Sequence, residues 1–261
     1  MKNLIFKLIL KFKAIDLTLR TVLYVHSLTY RMAGVLATMK EGNGIHPKHR
    51  IMQYHQWFVD NINPEDEVLD IGCGRGALTL DIASEASFVV GMDINPENIK
   101  YAKHHNIRQN IRYFCQDASP EENGVGGSAR KLRSYDVIVM SNVLEHIDDR
   151  ISFLQFWGQR AKKLLIRVPI LDRGWLPVYM KELGMDYRLD PSHKTEHTVN
   201  SFIEEIETAG LSVDSYSINF GEIWAVVVSN DKIVGLRGER KLPASAVENS
   251  EPLRIATIAL S

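Results

Sequence analysis

Cysteine is scarce in this chain: Cys73 and Cys115 are the only 2 in 261 residues, and they form neither a CxxC pair nor any metal-ligand spacing. This excludes a disulfide framework and a structural zinc site, so no metal is expected and a reducing cytoplasm is the expected setting. Net charge is nearly absent as well. With 31 Lys plus Arg against 32 Asp plus Glu the balance is −1, which argues against a generic polyanion binder. No basic aromatic surface follows residue 45, so no nucleic-acid partner is expected. Long apolar runs are missing too. Lys7, Lys11, Lys13, Asp16 and Arg20 interrupt the apolar N-terminus, leaving neither a signal-peptide core nor the roughly 18 apolar residues of a membrane span. What remains, 45% hydrophobic and 24% charged, is the composition of a folded chain with a sizeable core.

From Glu67 onward, short runs rich in Val and Ile alternate with longer stretches of helical period, the pattern of a parallel sheet covered by helices on both faces. The expected strands are Glu67 to Ile71, Ser87 to Asp93, Ile111 to Gln116, Tyr135 to Ser141 and Lys163 to Pro169, with helices near Gly76 to Glu85, Pro96 to His105 and Asp149 to Ala161. Asn95 reads as an N-cap with Pro96 at the first helical position. The stretch Ile170 to His197 is too long for a strand-to-helix connection, which takes roughly 2 to 6 residues, and reads as a functional insertion. A helix then follows Thr198 as N-cap and closes at Gly210. Strands Leu211 to Asn219 and Glu222 to Ser229, joined at Phe220 and Gly221, predict an antiparallel hairpin.

Val68-Leu69-Asp70-Ile71-Gly72-Cys73-Gly74-Arg75-Gly76-Ala77 places glycines where the first strand turns into a helix, so that a ligand can approach the backbone. Alone it is a weak signal, and through Gly72, Gly74 and Ala77 it also satisfies a relaxed dinucleotide pattern. Asp70, Asp93 and Asp117 stand at successive strand ends, where ligands of open α/β sheets bind. Asp93 follows Gly72 by 21 residues, close to the spacing of about 20 for an acid that grips ribose hydroxyls. Asp70 would repel a pyrophosphate and attract an ammonium or sulfonium, and Asp117 can accept from an adenine amino group. The combination favours S-adenosylmethionine over a nicotinamide dinucleotide.

VLDIGCGRGALT, VVGMDINPENIKYAK, FCQDAS and YDVIVMSNVLEHIDD resemble, in order and spacing, the class I S-adenosylmethionine-dependent methyltransferases, especially their small-molecule and glycan branch. The resemblance covers about residues 46 to 229. It implies an α/β fold, a Rossmann-like doubly wound seven-stranded sheet that is mostly parallel with an antiparallel terminal hairpin, plus a helical N-terminal extension. It also implies that Asp70 orients the methionine ammonium and that Gly72, Cys73 and Gly74 lie beside the methionine moiety. Gly76 would open the helix and Asp93 hold the ribose, with Ile94 on the adenine face and Asp117 and Ala118 at its edge. Ser141, Asn142 and Leu144 would lie beside the sulfonium. Ile94 and Ala118 could equally be plain core.

Methyl transfer from a sulfonium is an in-line displacement with a neutral leaving group, so alignment and desolvation carry the work, and a base assists if the acceptor is a hydroxyl. His146, His193 and His197 are the candidates, the last two within the insertion. His146 could instead only hydrogen-bond to groups behind the site, and His197 could instead pack against the next helix. Trp175, Tyr179, Met180, Met185 and Tyr187 could line an acceptor pocket or pack the insertion onto the sheet, and Gly221 to Trp224 could border the same cleft. The expected reaction is methyl transfer to a small-molecule or glycan acceptor, first of all at a hydroxyl oxygen. The alternatives are an NAD-dependent oxidoreductase and a non-catalytic cofactor-binding regulator or scaffold.

The neutral total conceals an asymmetry. Residues 1 to 40 hold Lys2, Lys7, Lys11, Lys13, Arg20, Arg31 and Lys40 against Asp16, a net +6 that leaves −7 elsewhere. Residues 2 to 25 show no clean amphipathic stripe. They read as a helix on the inner face of an anionic membrane or on a partner, or else as a cap over the cofactor cleft with lysine stems on apolar surface. A helix from His46 through Met52, Tyr54, Trp57 and Phe58 precedes the first strand, with Tyr54 a candidate contact to the methionine carboxylate. The expected organisation is a basic extension 1–45, a catalytic domain 46–230 and a loosely held tail 231–261.

Overall fold

The computed structural model describes residues 14–42, 46–120 and 134–230. Lys2, Lys7, Lys11, Lys13 and the tail 231–261 lie outside the described residues.

Seven strands, β1 (Glu67–Ile71), β2 (Phe88–Asp93), β3 (Ile111–Cys115), β4 (Tyr135–Ser141), β5 (Ala161–Pro169), β6 (Leu211–Asn219) and β7 (Glu222–Ser229), form one sheet in the order β3-β2-β1-β4-β5-β7-β6. The first five are parallel, and β7 pairs antiparallel with β5 and β6. The β6–β7 turn takes positive φ at Phe220 and Gly221, 51° and 77°, as a two-residue hairpin that follows strand twist requires. The described helices are α1 (Ile15–Glu41), α2 (Lys48–Met52), α3 (Tyr54–Asp60), α4 (Ala77–Ile82), α5 (Pro96–His105), α6 (Arg150–Gly158), α7 (Trp175–Glu182) and α8 (Val199–Thr208). No helix among the described residues is long and apolar enough to cross a membrane.

Side chains alternate across a strand, so each strand feeds two cores. Leu69, Ile71, Val90, Met92, Ile138 and Met140 pack on one face against Phe153, Leu154 and Trp157 of α6 and Phe202 and Ile206 of α8. Val68, Val89, Val137 and Val139 pack on the other against Phe58 of α3, Leu78 and Ile82 of α4, and Ile99 and Ala102 of α5. Burying Phe153 and Phe202, both essentially out of solvent, contributes about 1.5–3 kcal/mol each. The alternation also dictates that Asp70, two residues after Val68, points to the α4 side.

Capping follows the sequence. The Asn95 side chain accepts from the Glu97 amide ahead of Pro96, and Thr198 and Ser201 cap α8 reciprocally. Asp149 belongs outside its helix, as the N-cap accepting from the Ser152 amide. β5 starts at Ala161 rather than Lys163, because Tyr135 of β4 already pairs there. The helix expected from His46 through Phe58 is two helices. Gln53 is left-handed at φ 50°, and the Tyr54 hydroxyl bonds back to His49 Nδ1 at 2.6 Å, fastening the break.

The insertion Ile170 to His197 contains α7 and is held by the Arg173–Glu196 ion pair and by Arg173 donating to the carbonyls of Ile170 and Tyr187. The long helix α1 packs on this insertion. Arg20 donates to the Leu183 carbonyl at 2.9 Å and Arg31 pairs with Asp186 at 3.5 Å.

Candidate cofactor and acceptor site

At the carboxyl ends of β1, β2, β3 and β4 a cleft of about 620 Å³ opens, lined by Gly72, Asp93, Ile94, Asp117, Ala118, Asn142 and His146 among others. Seven residues singled out by sequence therefore meet in one place. Ile71, Met92, Gln116, Ser119, Val143, Ile147, Asp148 and Asp149, all within the quoted motifs, and Pro120, Ser152 and Phe153, just beyond them, complete the walls.

The glycine loop needs its glycines for different reasons. Gly72 sits at φ +68°, and a Cβ there would meet Val143 Cγ2 at 2.6 Å, whereas Gly74, at φ +55°, has open space where its Cβ would be. Gly76 caps α4 at φ +81° with the Tyr113 ring against it, so its role is to open the helix. The loop is fastened to β2 twice: the Cys73 amide donates to the Met92 carbonyl, and the Gly74 amide donates to Asp93 Oδ2 at 2.8 Å. Asp93 Oδ1 accepts from the Asn95 amide at 2.8 Å, so one carboxylate orders both the loop and the start of α5. Beside it Ile94 is 67% exposed, which settles against plain core and leaves an apolar face free for a flat ring. Asp117 Oδ1 accepts from the Ser119 amide, and the Ala118 carbonyl accepts from Trp157 Nε1, fixing the loop after β3. Asn142, left-handed at φ 56°, buries an Oδ1 that has no partner among the described residues. Ser141 is partly buried at the end of β4, and Leu144 is wholly buried in the core.

Asp70 is buried beneath the loop and accepts from Thr79 Oγ1 of α4 at 2.6 Å. Burial pushes its carboxyl up to about 7, against 3.8 in the open chain. A group whose native pKa is raised contributes stability that is present below its unfolded value and lost as pH rises through the folded one. Thermal unfolding of the free protein should therefore show stability falling between about pH 4 and 7 relative to Asp70→Asn; parallel pH curves for the two proteins would contradict this. Cys73 is buried and its thiol pushed up by the same desolvation, which makes it inert packing rather than a nucleophile.

The three histidines part company. His146 is exposed at the cleft. Its Nδ1 meets Ser192 Oγ at 3.2 Å, and Ser192 Oγ in turn donates to Asp190 Oδ1 at 2.6 Å. Burial and the neighbouring His193 hold its pKa below the ordinary histidine value, so the ring is neutral near pH 7 and can accept a proton. His193 packs edge-on to it at 4.9 Å, buried, with Nδ1 on Glu196 at 3.0 Å. His197 is buried against Phe202 with Nε2 on Glu205 at 2.9 Å, which fixes the start of α8 and keeps it out of the cleft walls.

Tyr54 is likewise away from the cleft walls, buried under the Arg167 guanidinium at 3.6 Å from its ring. The insertion's aromatics also lie elsewhere. Trp175 is 75% exposed, while Tyr187 and Met180 line a separate cavity of about 270 Å³ between α1 and α7. Sequence reasoning passed over Arg167 and met Glu145 only as the neighbour of His146 in Leu144-Glu145-His146-Ile147. Both are buried near the ends of β4 and β5; the Glu145 carboxylate oxygens and Arg167 Nε make no hydrogen bond among the described residues, while Arg167 Nη1 forms an ion pair with Glu222 at 3.3 Å. Burial pushes the Glu145 carboxyl up to about 7. Glu145, His146 and His193 bring ligand-type atoms within 4.8 Å of one another, a cluster that chain spacing did not reveal.

This strand order, with a glycine loop after β1 and an acid closing β2, defines the class I nucleoside-cofactor methyltransferase fold. Residues 69–163 match the family model described as a methyltransferase domain. Residues 69–163 thus carry a methyltransferase domain of the class I S-adenosylmethionine-dependent kind. A ubiquinone biosynthesis O-methyltransferase of Escherichia coli O6:H1 is 30% identical over 150 residues, 57% of this chain and 61% of that protein. One from Haemophilus ducreyi is 27% identical over 146 residues, 54% of this chain and 60% of the relative. The match thus spans about three fifths of these curated relatives. Magnesium protoporphyrin IX methyltransferase from Synechocystis PCC 6803, solved with bound SAH, shares the fold at a TM-score of 0.53 and 20% identity, over 70% of this chain and 83% of that one.

Proposed function

We propose that residues 46–230 bind S-adenosylmethionine in the cleft and methylate a hydroxyl oxygen of a small molecule, with His146 as the base. The observation that carries this reading is the Asp190–Ser192–His146 chain, which presents a neutral imidazole at the cleft edge. The cofactor, when bound, supplies an electrophilic methyl on a sulfonium. The residues present fit it: an acid for vicinal hydroxyls at Asp93, an exposed apolar face at Ile94, an unsatisfied Asn142 Oδ1 and a buried carboxyl at Asp70 ready to ionise beside a cation.

Asp93 would hold the ribose, Ile94 and Ala118 the adenine, and Asp70, Gly72 and Gly74 the methionine end. His146 takes the acceptor proton as the new carbon–oxygen bond forms, Ser192 holds its Nδ1, and Asp190 fixes the Ser192 hydroxyl. The ubiquinone biosynthesis O-methyltransferases among the relatives support an aromatic hydroxyl in preference to a sugar. Incubation of the full chain with methyl-labelled cofactor and a panel of catechols, phenols and glycans tests this by mass spectrometry. Label on a phenolic oxygen is expected; label on sugars alone, or none in any acceptor, would overturn it.

A further inference from the structure

We propose that α1 is an anchor that lays an apolar stripe on an anionic lipid surface, holding the domain by its insertion. The stripe consists of Leu17, Tyr24, Val25, Leu28, Met32, Val35, Leu36 and Met39, all between 48% and 70% exposed. At 100° per residue these positions fall on one side of the helix and run about 33 Å along it at 1.5 Å per residue. The side turned to the protein is mainly polar and small, with Leu23 and Tyr30 its large apolar exceptions. It contains Arg20 on the Leu183 carbonyl, Arg31 on Asp186, the buried Leu23, and Gly34 facing His46.

A helix that merely caps a domain turns its apolar side inward; α1 is the reverse. Eight adjacent large apolar side chains in water form a patch of the kind that marks an interaction site rather than scattered surface hydrophobes. What covers it is indicated by charge. The 14 residues before the helix hold Lys2, Lys7, Lys11 and Lys13 and no acid, alongside Leu4, Ile5, Phe6, Leu8, Ile9, Leu10 and Phe12. Lysines among apolar residues, joined to an apolar helical face, are what anionic headgroups above an acyl layer select. A second copy of the chain is the poorer partner. Paired helices set register with complementary charges beside the apolar seam, but Arg20 and Arg31 are tied to Asp16 and Asp186 within this chain.

The test is co-sedimentation of the full chain with vesicles of phosphatidylcholine alone or with added phosphatidylglycerol. Its controls are a variant carrying Leu28→Glu, Met32→Glu and Val35→Glu and one with the four N-terminal lysines changed to Gln. All three glutamates stand on solvent-facing positions, and cofactor titration confirms that the domain remains folded. The wild type should pellet with anionic vesicles, the glutamate variant should lose about tenfold or more in partitioning, and the Gln variant should lose the preference for phosphatidylglycerol. Equal pelleting of wild type and glutamate variant would overturn the proposal. So would a wild-type dimer in light scattering that the glutamates convert to monomer, since a second copy would then be the occupant.

Discussion

Asp93→Ala is expected to weaken S-adenosylmethionine binding by about 100-fold or more, the loss of two charge-assisted hydrogen bonds at roughly 1.5–3 kcal/mol each. The size of the effect comes from the carboxylate's double duty. Each oxygen already accepts a backbone amide at 2.8 Å, Gly74 on Oδ2 and Asn95 on Oδ1; Oδ2 retains lone-pair capacity for a ribose hydroxyl, and on Oδ1 a second hydroxyl would displace the longer 3.4 Å bond from Asn98. Alanine therefore removes the carboxylate acceptors and also one of the glycine loop's two fastenings to β2, leaving the Cys73 amide on the Met92 carbonyl. Asp93→Asn keeps one acceptor oxygen and should cost about tenfold. Calorimetric titration measures both, and thermal unfolding of the free variants separates loop loosening from lost contacts. An Asp93→Ala protein that binds the cofactor within about twofold of wild type would remove Asp93 from the site.

His146→Ala should lower kcat by about 10²- to 10⁴-fold, the usual worth of a positioned base, while the cofactor's dissociation constant changes little. The variants around it distinguish a base from a merely structural histidine. His193 lowers the His146 pKa and Asp190 raises it. The acid limb of the kcat profile should accordingly move to higher pH in His193→Ala and to lower pH in Asp190→Asn. Ser192→Ala should reduce kcat by less than His146→Ala, since it loosens the ring without removing it. Pre-steady-state rates across the pH range read this directly, and a profile unmoved by either neighbour would assign the proton to another group.

Much of this site was legible in the chain because its parts are local. The turn from β1 to α4 is written in consecutive glycines, and Asp93 lies at a fixed distance in βα repeat geometry. The caps Asn95 and Thr198 need only their own next turn. The proposed base could not be chosen from sequence, because what separates His146 from His193 and His197 is contact across distance. Ser192 reaches His146 from 46 residues away, and His197 is withdrawn by Glu205 of α8. The burial of Glu145 and Arg167 was illegible for the same reason, since nothing in LEHIDD or LLIRVP says that their side chains turn inward. Reading only residues 2 to 25 obscured the stripe of α1, which emerges once the helix is seen to continue to Glu41. Within the described residues α1 lies on the insertion and none of its side chains stands among the cleft walls, while residues 2–13 of the expected cap lie outside the described residues.

The central claim is that this cleft is built for a cationic methyl donor rather than a dinucleotide, and calorimetric titration of the full chain with S-adenosylmethionine and, separately, with NAD tests it most directly. Saturable one-to-one binding of S-adenosylmethionine, with no heat from NAD, is the result predicted by Asp70 beneath the loop and Asp93 beside it. Binding of NAD without binding of S-adenosylmethionine would contradict it.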